Sequence, residues 1–180
     1  VVASEFMLVN ILKRAKFLAS CGEKLFCTPP FARFLYHHIK SRDFLKENVM
    51  NDFAALDDFD IMCSIKAWAH HKDKILSRLC SDLLNRKLFK IEMSKSPVNT
   101  KNRDLLYKKI KKKMDCSDRE MSYYLVQDEL TNNAYTPKND KINLIYKNRK
   151  TIDIAEASDN FNISALSKPV KKHVLGYLRH

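Results

Sequence analysis

The spacing of apolar residues changes sharply at residues 84–86 of this chain, and that change constrains the fold more than any other feature. Up to Leu84 the apolar positions recur three and four residues apart; after Arg86 stretches that alternate appear for the first time, around one further helical stretch. Met7, Leu8, Ile11, Leu12, Ala15 and Leu18 form one stripe and predict a helix over 4–18. Gly22 is placed to end it in the left-handed conformation, and Pro29-Pro30 marks the connection that follows. Phe31, Phe34, Leu35 and His38 predict a shorter helix over about 30–39. Asp57 or Asp58 is set to cap a third, with Ile61, Ile65 and Trp68 on one face. Ile75, Leu76, Leu79, Cys80, Leu83 and Leu84 predict a fourth over about 73–84. Beyond Arg86, "KLFKIEM" alternates as a strand, and "RDLLYKKIKKKMD" is an amphipathic helix expected to turn Leu105, Leu106, Ile110 and Met114 inward. "SYYLVQDEL", "KINLIYK", "KTIDIAEA" and "KKHVLGYL" read as strands, with a turn at 147–150 and a short helical turn near 158–166. The expectation is an α+β protein. About four helices fill an N-terminal half, residues 1–90; a small, mostly antiparallel sheet with one or two helices fills 91–180.

Two glycines in 180 residues exclude whole classes of site. G-x-x-x-x-G-K-[ST], G-x-G-x-x-G and G-x-S-x-G each need at least two glycines close together, and Gly22 and Gly176 lie far apart. No glycine-rich loop can therefore cradle a phosphate here. The five cysteines, Cys21, Cys27, Cys63, Cys80 and Cys116, are odd in number and widely scattered, which points to a reducing, cytoplasmic compartment. Cys63 and Cys80 fall on or beside helical stripes and are expected in the core. His37-His38 and His70-His71 are adjacent pairs, whose side chains point about 100° apart on a helix and cannot close on one ion. They read as solvated helix ends, and no metal ligand or catalytic residue is assigned. No apolar run is long enough to span a bilayer, and the N-terminal stretch lacks the basic start and the cleavage site of a signal peptide.

The formal net charge of +12 predicts attraction to polyanions. Its densest part is "KKIKKK", where Lys108, Lys109, Lys111, Lys112 and Lys113 are candidates for polyanion binding by counterion release. No aromatic side chain interleaves with them, which argues against a base-stacking single-strand reader. A second candidate is "NRKLFK" at the junction of helix and strand. Arg86 and Lys90 stand four apart, a spacing that shares a face on either element, with Leu88 and Phe89 between them. A guanidinium beside an ammonium is a fair grip on a phosphate chain or a stacked base.

Against these residues a resemblance stands out. "LDDFDIMCSIKAW" and "DKILSRLCSDLLNRKLFKIE" resemble the region that follows the catalytic centre in HD-superfamily phosphohydrolases, in the deoxynucleoside triphosphate triphosphohydrolase, or dGTPase-like, group. "VVASEFMLVNILKRAK" is similar to the helix after that family's Tyr-x-His-Lys motif, and "NISALSKPVKKHVLGYLR" resembles the end of its bacterial members. The resemblance implies a hydrolase that releases triphosphate from a dNTP. Its divalent metal is held by a histidine, a His-Asp pair and a further aspartate, and its homo-oligomer, commonly a tetramer, binds nucleotide effectors between subunits. The arginine and lysine of the family's R-x-x-x-K junction contact the effector, and Arg86 and Lys90 match them here. This chain has no His-Asp dipeptide and no Tyr-x-His-Lys motif. The resemblance thus implies only a C-terminal regulatory and oligomerisation portion, inactive alone and holding no cofactor. Its expected partners are a deoxynucleotide effector, the HD catalytic half and further copies of itself. The alternative is a basic nucleic-acid-binding module built on Lys108–Lys113. In a lone C-terminal portion the stripe Met7, Leu8, Ile11 and Leu12 is expected to be exposed unless it pairs with another copy.

Overall fold

A computed structural model describes residues 1–132, 142–157 and 170–179. Five α-helices and a 3-10 turn precede the first strand: α1 (Val2–Ser20), α2 (Pro29–Tyr36), the 3-10 turn (Ser41–Leu45), α3 (Glu47–Ala54), α4 (Asp58–Trp68) and α5 (Lys74–Leu84). Then come β1 (Lys90–Ser94), α6 (Thr100–Met114), α7 (Asp118–Met121), β2 (Leu125–Asn132), β3 (Asn143–Ile145), β4 (Thr151–Asp153), α8 (Ile154–Ala157) and β5 (Val170–Tyr177). β1, β5 and β2 form a three-stranded antiparallel sheet in that order. The fold is α+β, helical first and sheet-forming after, as the change of period predicts.

The chain divides into two compact units. The first comprises Val1–Glu92, Thr100–Val126 and Gly176–His180. Within it α1 packs on α2 and α5, α4 packs on α5, and α2 packs on α3. Trp68, Met7, Ile11, Ile65, Leu76, Leu79, Phe89 and Ile110 are among its largest fully buried side chains. The ring of Trp68 lies against Phe31, with centroids 6.0 Å apart, and its indole N–H donates to the Phe26 carbonyl at 2.9 Å. The helix starts follow sequence rules. Asp57 caps α4 by accepting from the Phe59 and Asp60 N–H groups, and Asp60 returns the bond to the Asp57 N–H. Ser117 and Glu120 form the same reciprocal cap on α7. Gly22 ends α1 at φ 87°, in the left-handed region. Gly176 serves close approach instead, since a Cβ there would sit 3.0 Å from the Phe6 ring and 3.1 Å from the Ile91 side chain.

The second unit comprises Met93–Asn99 and Gln127–Leu175. In it β3 pairs antiparallel with β4, Asn143 opposite Asp153 and Ile145 opposite Thr151. The turn between them falls where the sequence places it, with the Arg149 N–H donating to the Tyr146 carbonyl. Glu129 pairs with Lys171 at 2.5 Å and with His173 at 3.1 Å, across two neighbouring strands.

Several expectations need correction. The stripe on α1 is largely covered within this chain: Met7 and Ile11 are fully buried and Leu8 and Leu12 half-buried, on a helix that packs on α2 and α5. Leu105 is 67% exposed, because it lies about 140° around α6 from Ile110, whereas Leu106 and Met114 sit one turn either side of it. Cys63 is exposed, because α4 buries Ser64, Ile65 and Trp68 and turns Cys63 away; Cys80 is core as expected. The strand read over "KTIDIAEA" stops at Asp153 and continues as α8. Two short elements between Ser41 and Ala54 have no counterpart in the sequence reading. The helical turn expected near 158–166 lies outside the described residues. No helix among the described residues is long and apolar enough to cross a membrane.

Candidate functional site

α5 is held hard at its start. Asp73 caps it, accepting from the Leu76 N–H at 2.8 Å, and takes both arms of Arg14 at 3.1 and 2.6 Å. Arg14 is itself buried in α1. Burial pushes the Asp73 carboxyl up, but the Arg14 guanidinium and the Leu76 N–H outweigh it and hold it below the usual carboxylate range. From there Ile75, Leu76, Leu79 and Cys80 bury one face of the helix.

Its end is different. The Arg86 N–H donates to the Leu83 carbonyl at 3.1 Å and the Lys87 N–H to the Asp82 carbonyl at 2.8 Å, the two bonds of a Schellman motif. Arg86 occupies the left-handed position at φ 57°, where glycine is usual. Leu88 is half-buried and Phe89 only 1% exposed. That explains the two apolar residues in "NRKLFK": Phe89 anchors the junction in the core while the flanking cations stay in water.

Beside this turn lies a cleft of about 340 Å³. Five cationic side chains line it, Arg78, Arg86, Lys87, Lys113 and Arg179, against one carboxylate, Asp82. Asp82 is buried and already paired with Arg78 at 2.6 Å. Leu178 is buried at the cleft, its N–H donating to the Tyr124 carbonyl at 3.0 Å, which fixes where the following Arg179 emerges.

The structure therefore sorts the predicted residues. Arg86 and Lys113 come together in the cleft. Lys90 does not line it; its ammonium lies 3.3 Å from Glu92 and 5.6 Å above the Tyr177 ring. The Tyr177 hydroxyl donates to the same Glu92 oxygen at 2.7 Å. Hydrogen bonding to Tyr177 and then to Glu92 raises the Lys90 ammonium, while Tyr177 and then Lys90 hold the Glu92 carboxyl below its usual range. Lys111 is tied to Asp118 at 2.6 Å, a carboxylate that also receives the Tyr107 hydroxyl. Lys108, Lys109 and Lys112 are exposed on α6. Arg78, Lys87 and Arg179 are cleft cations that sequence reasoning missed, although Lys87 stood beside Arg86 in the same stretch. Arg78 had a signal, standing four and eight residues before Asp82 and Arg86 on one helix face. Arg179 had none, because only tertiary structure brings it there.

A second cavity, of about 480 Å³, brings Cys116, Glu120 and Tyr124 together beside α5 and α7. Burial pushes the Cys116 thiol up, away from a reactive thiolate, and Glu120 is held by the Ser117 cap. Among the described residues no group of three histidine, cysteine or acidic side chains is placed to hold a metal ion.

No family model matches the chain, and a search of curated proteins finds no match. Among solved structures it is similar to a phosphohydrolase from Bacteroides thetaiotaomicron VPI-5482. The two are 40% identical over 99% of this chain, with a TM-score of 0.79. The chain spans 44% of that protein's length. The likeness supports a phosphohydrolase relationship.

Proposed function

We propose that this chain is the C-terminal regulatory and oligomerisation portion of a metal-dependent, HD-type dNTP triphosphohydrolase of the dGTPase-like group. The observation that carries the reading is the 40% identity over nearly the whole chain to less than half of a phosphohydrolase. The hydrolytic residues and the divalent metal belong, on this reading, to an HD catalytic half with which the chain works in the cytoplasm. Arg86 and Lys90 are its effector-binding cations. Arg86 stands at the mouth of a cation-lined cleft, and Lys90 is exposed enough to exchange Glu92 for a nucleotide oxygen. A deoxynucleotide bound there shifts assembly of the homo-oligomer by its difference in affinity for the two states.

The test joins the chain to an HD half and measures dNTP hydrolysis with a divalent metal. Hydrolysis with an effector response that Arg86→Ala weakens about tenfold or more, as the loss of a charge-assisted phosphate contact requires, supports the reading. An unchanged response in that variant sinks the assignment of Arg86, and hydrolysis by the chain alone sinks the reading as a whole. The exposed lysines of α6 favour one second reading, a nucleic-acid-binding module. It expects the logarithm of affinity to fall with the logarithm of salt by about 0.7–0.9 per phosphate neutralised, and salt-insensitive binding rejects it.

A further inference from the structure

The cavity of about 480 Å³ lies beside α5, at the turn from α6 into α7. Ile75, Ser77 and Ser81 of α5 line it, together with Met114, Glu120 and Tyr124. Tyr124 is the group that needs a reason. It is only 1% exposed, and its backbone is fixed on both sides. Its N–H donates to the Met121 carbonyl and its carbonyl accepts from the Leu178 N–H, each at 3.0 Å. Its hydroxyl has no hydrogen-bond partner among the described residues. A buried hydroxyl without a partner is rare and costly in a folded protein. Its surroundings show where it points: of the four groups that act on it electrostatically, Cys116, Arg78 and Glu120 line the cavity. Burial, and then Cys116, pushes the phenol up, so it stays protonated and keeps a hydrogen to donate.

Water is the bland occupant. It satisfies the hydroxyl, but it wets Ile75 and Met114 poorly, and an organic molecule covers them. We propose that this cavity binds an uncharged small molecule bearing a cyclic amide, with Tyr124 donating to the amide carbonyl. The charges of the wall select no ion: Lys74 and Arg78 are balanced by Asp115 and Glu120, and Arg78 is already paired with Asp82. The wall also offers acceptors for the amide N–H. Ser77 gives its own hydrogen to the Asp73 carbonyl at 2.9 Å, so it meets a ligand only through its lone pairs. The Ser117 cap holds the Glu120 carboxyl below its usual range, and that group accepts as well. A carbonyl beside an N–H, on a ring that covers Ile75 and Met114, answers all three demands. The volume falls within the range of about 300–1,000 Å³ usual for small-molecule pockets. This site goes beyond the effector reading and does not rest on it; it shares only Arg78 with the cationic cleft.

The experiment titrates the 180-residue chain with 2-quinolone, a neutral cyclic amide, and with quinoline, which keeps the two rings and lacks the amide. Backbone amide and methionine methyl signals are followed by NMR. Binding of 2-quinolone at about millimolar strength is expected, with quinoline about tenfold or more weaker. The signals of Ser81, Met114 and Cys116 should move. Tyr124→Phe removes only the hydroxyl. It is expected to weaken 2-quinolone about fivefold or more and to leave quinoline within about twofold. The urea midpoint of the free variant should be unchanged or higher, because no hydrogen bond within the chain is broken. Ser81→Leu, which narrows the cavity, is expected to weaken both probes. No binding of 2-quinolone, or shifts confined to other residues, overturns the proposal and leaves the cavity to water. Equal affinity for the two probes overturns it too, as does unchanged binding in Tyr124→Phe. A lower urea midpoint in that variant shows that the hydroxyl serves the fold, and overturns it on that ground.

Discussion

α1 and α5 end in the same pattern of hydrogen bonds and fill its critical position differently. At α1 the Gly22 N–H donates to the Ala19 carbonyl and the Glu23 N–H to the Leu18 carbonyl, both at 3.0 Å. At α5 Arg86 and Lys87 make the equivalent bonds. Each turn is followed, three residues on, by a buried apolar anchor: Leu25 at 6% exposure and Phe89 at 1%. The geometry is shared, with φ 87° at Gly22 and 57° at Arg86. The cost is not. A side chain in the left-handed region costs on the order of 1 kcal/mol that glycine avoids. Asp115 closes α6 in that region too, at φ 47°, but aspartate tolerates it well. The comparison teaches that α5 ends on a cation at a place where the fold alone favours glycine. Strain of this kind persists where the surroundings over-determine it, and it collects at binding sites.

The first way to break the comparison is to remove what over-determines the strained turn. Phe89→Ala is expected to cost about 3–5 kcal/mol, since the ring is fully buried and its loss leaves a cavity. Urea unfolding measures it, and a loss under about 1 kcal/mol would show that packing does not hold the junction. The second removes the hold at the other end of the helix. Asp73→Asn keeps a capping oxygen but leaves buried Arg14 with only Glu120, 3.8 Å away, as a carboxylate partner, at a cost of up to about 3 kcal/mol at neutral pH. Its sign with pH is fixed by the depressed Asp73 carboxyl. The ion pair's stabilisation is fully present above the unfolded value of about 3.9 and is lost as pH falls through the lower folded value. The gap between variant and parent should therefore close in acid; a gap that widens there contradicts the assignment.

What was legible in the sequence follows the same division between local and tertiary causes. The helices α1, α4 and α5 carry long apolar stripes, and Gly22, Asp57 and Asp73 mark their ends with local chemistry. α3 carried no such signal. Only Val49 of its eight residues is buried, and its place is set by the contact of Phe53 with Phe34 and Phe44, residues from α2 and the 3-10 turn. The cleft shows the same limit. Arg86 could be singled out because a junction is visible locally, but its meeting with Lys113 and Arg179 is tertiary. Lys90 shows the opposite case. Two residues apart on a strand, Lys90 and Glu92 share a face, so a partner for its ammonium was readable from alternation alone.

The third test carries the arginine to the other helix. Gly22→Arg is expected to cost about 0.5–1 kcal/mol net, about 1–2 kcal/mol of backbone strain less the about 0.5–1 kcal/mol gained by stiffening the unfolded chain, with no clash added because a Cβ at Gly22 meets nothing within 4 Å. No loss there would mean that the two turns tolerate side chains equally and that Arg86 needs no special account.

The smallest effect is also the sharpest. Arg86→Gly relieves the left-handed strain at α5, but the new glycine loosens the unfolded chain by about 0.5–1 kcal/mol. The two nearly cancel, and a net gain of about 0.5 kcal/mol is expected, read as a higher urea midpoint with an unchanged slope. Among the described residues Arg86 makes no ion pair within 4 Å that removal would break, and its side chain is exposed. A clear loss of stability would therefore mean that the guanidinium holds the fold together. The contrast with Gly22 would then be structural. A gain in stability together with a weakened effector response in the joined enzyme separates the two roles within one residue. The backbone at Arg86 then serves the helix end as glycine would, and the side chain is kept, against stability, for the anion.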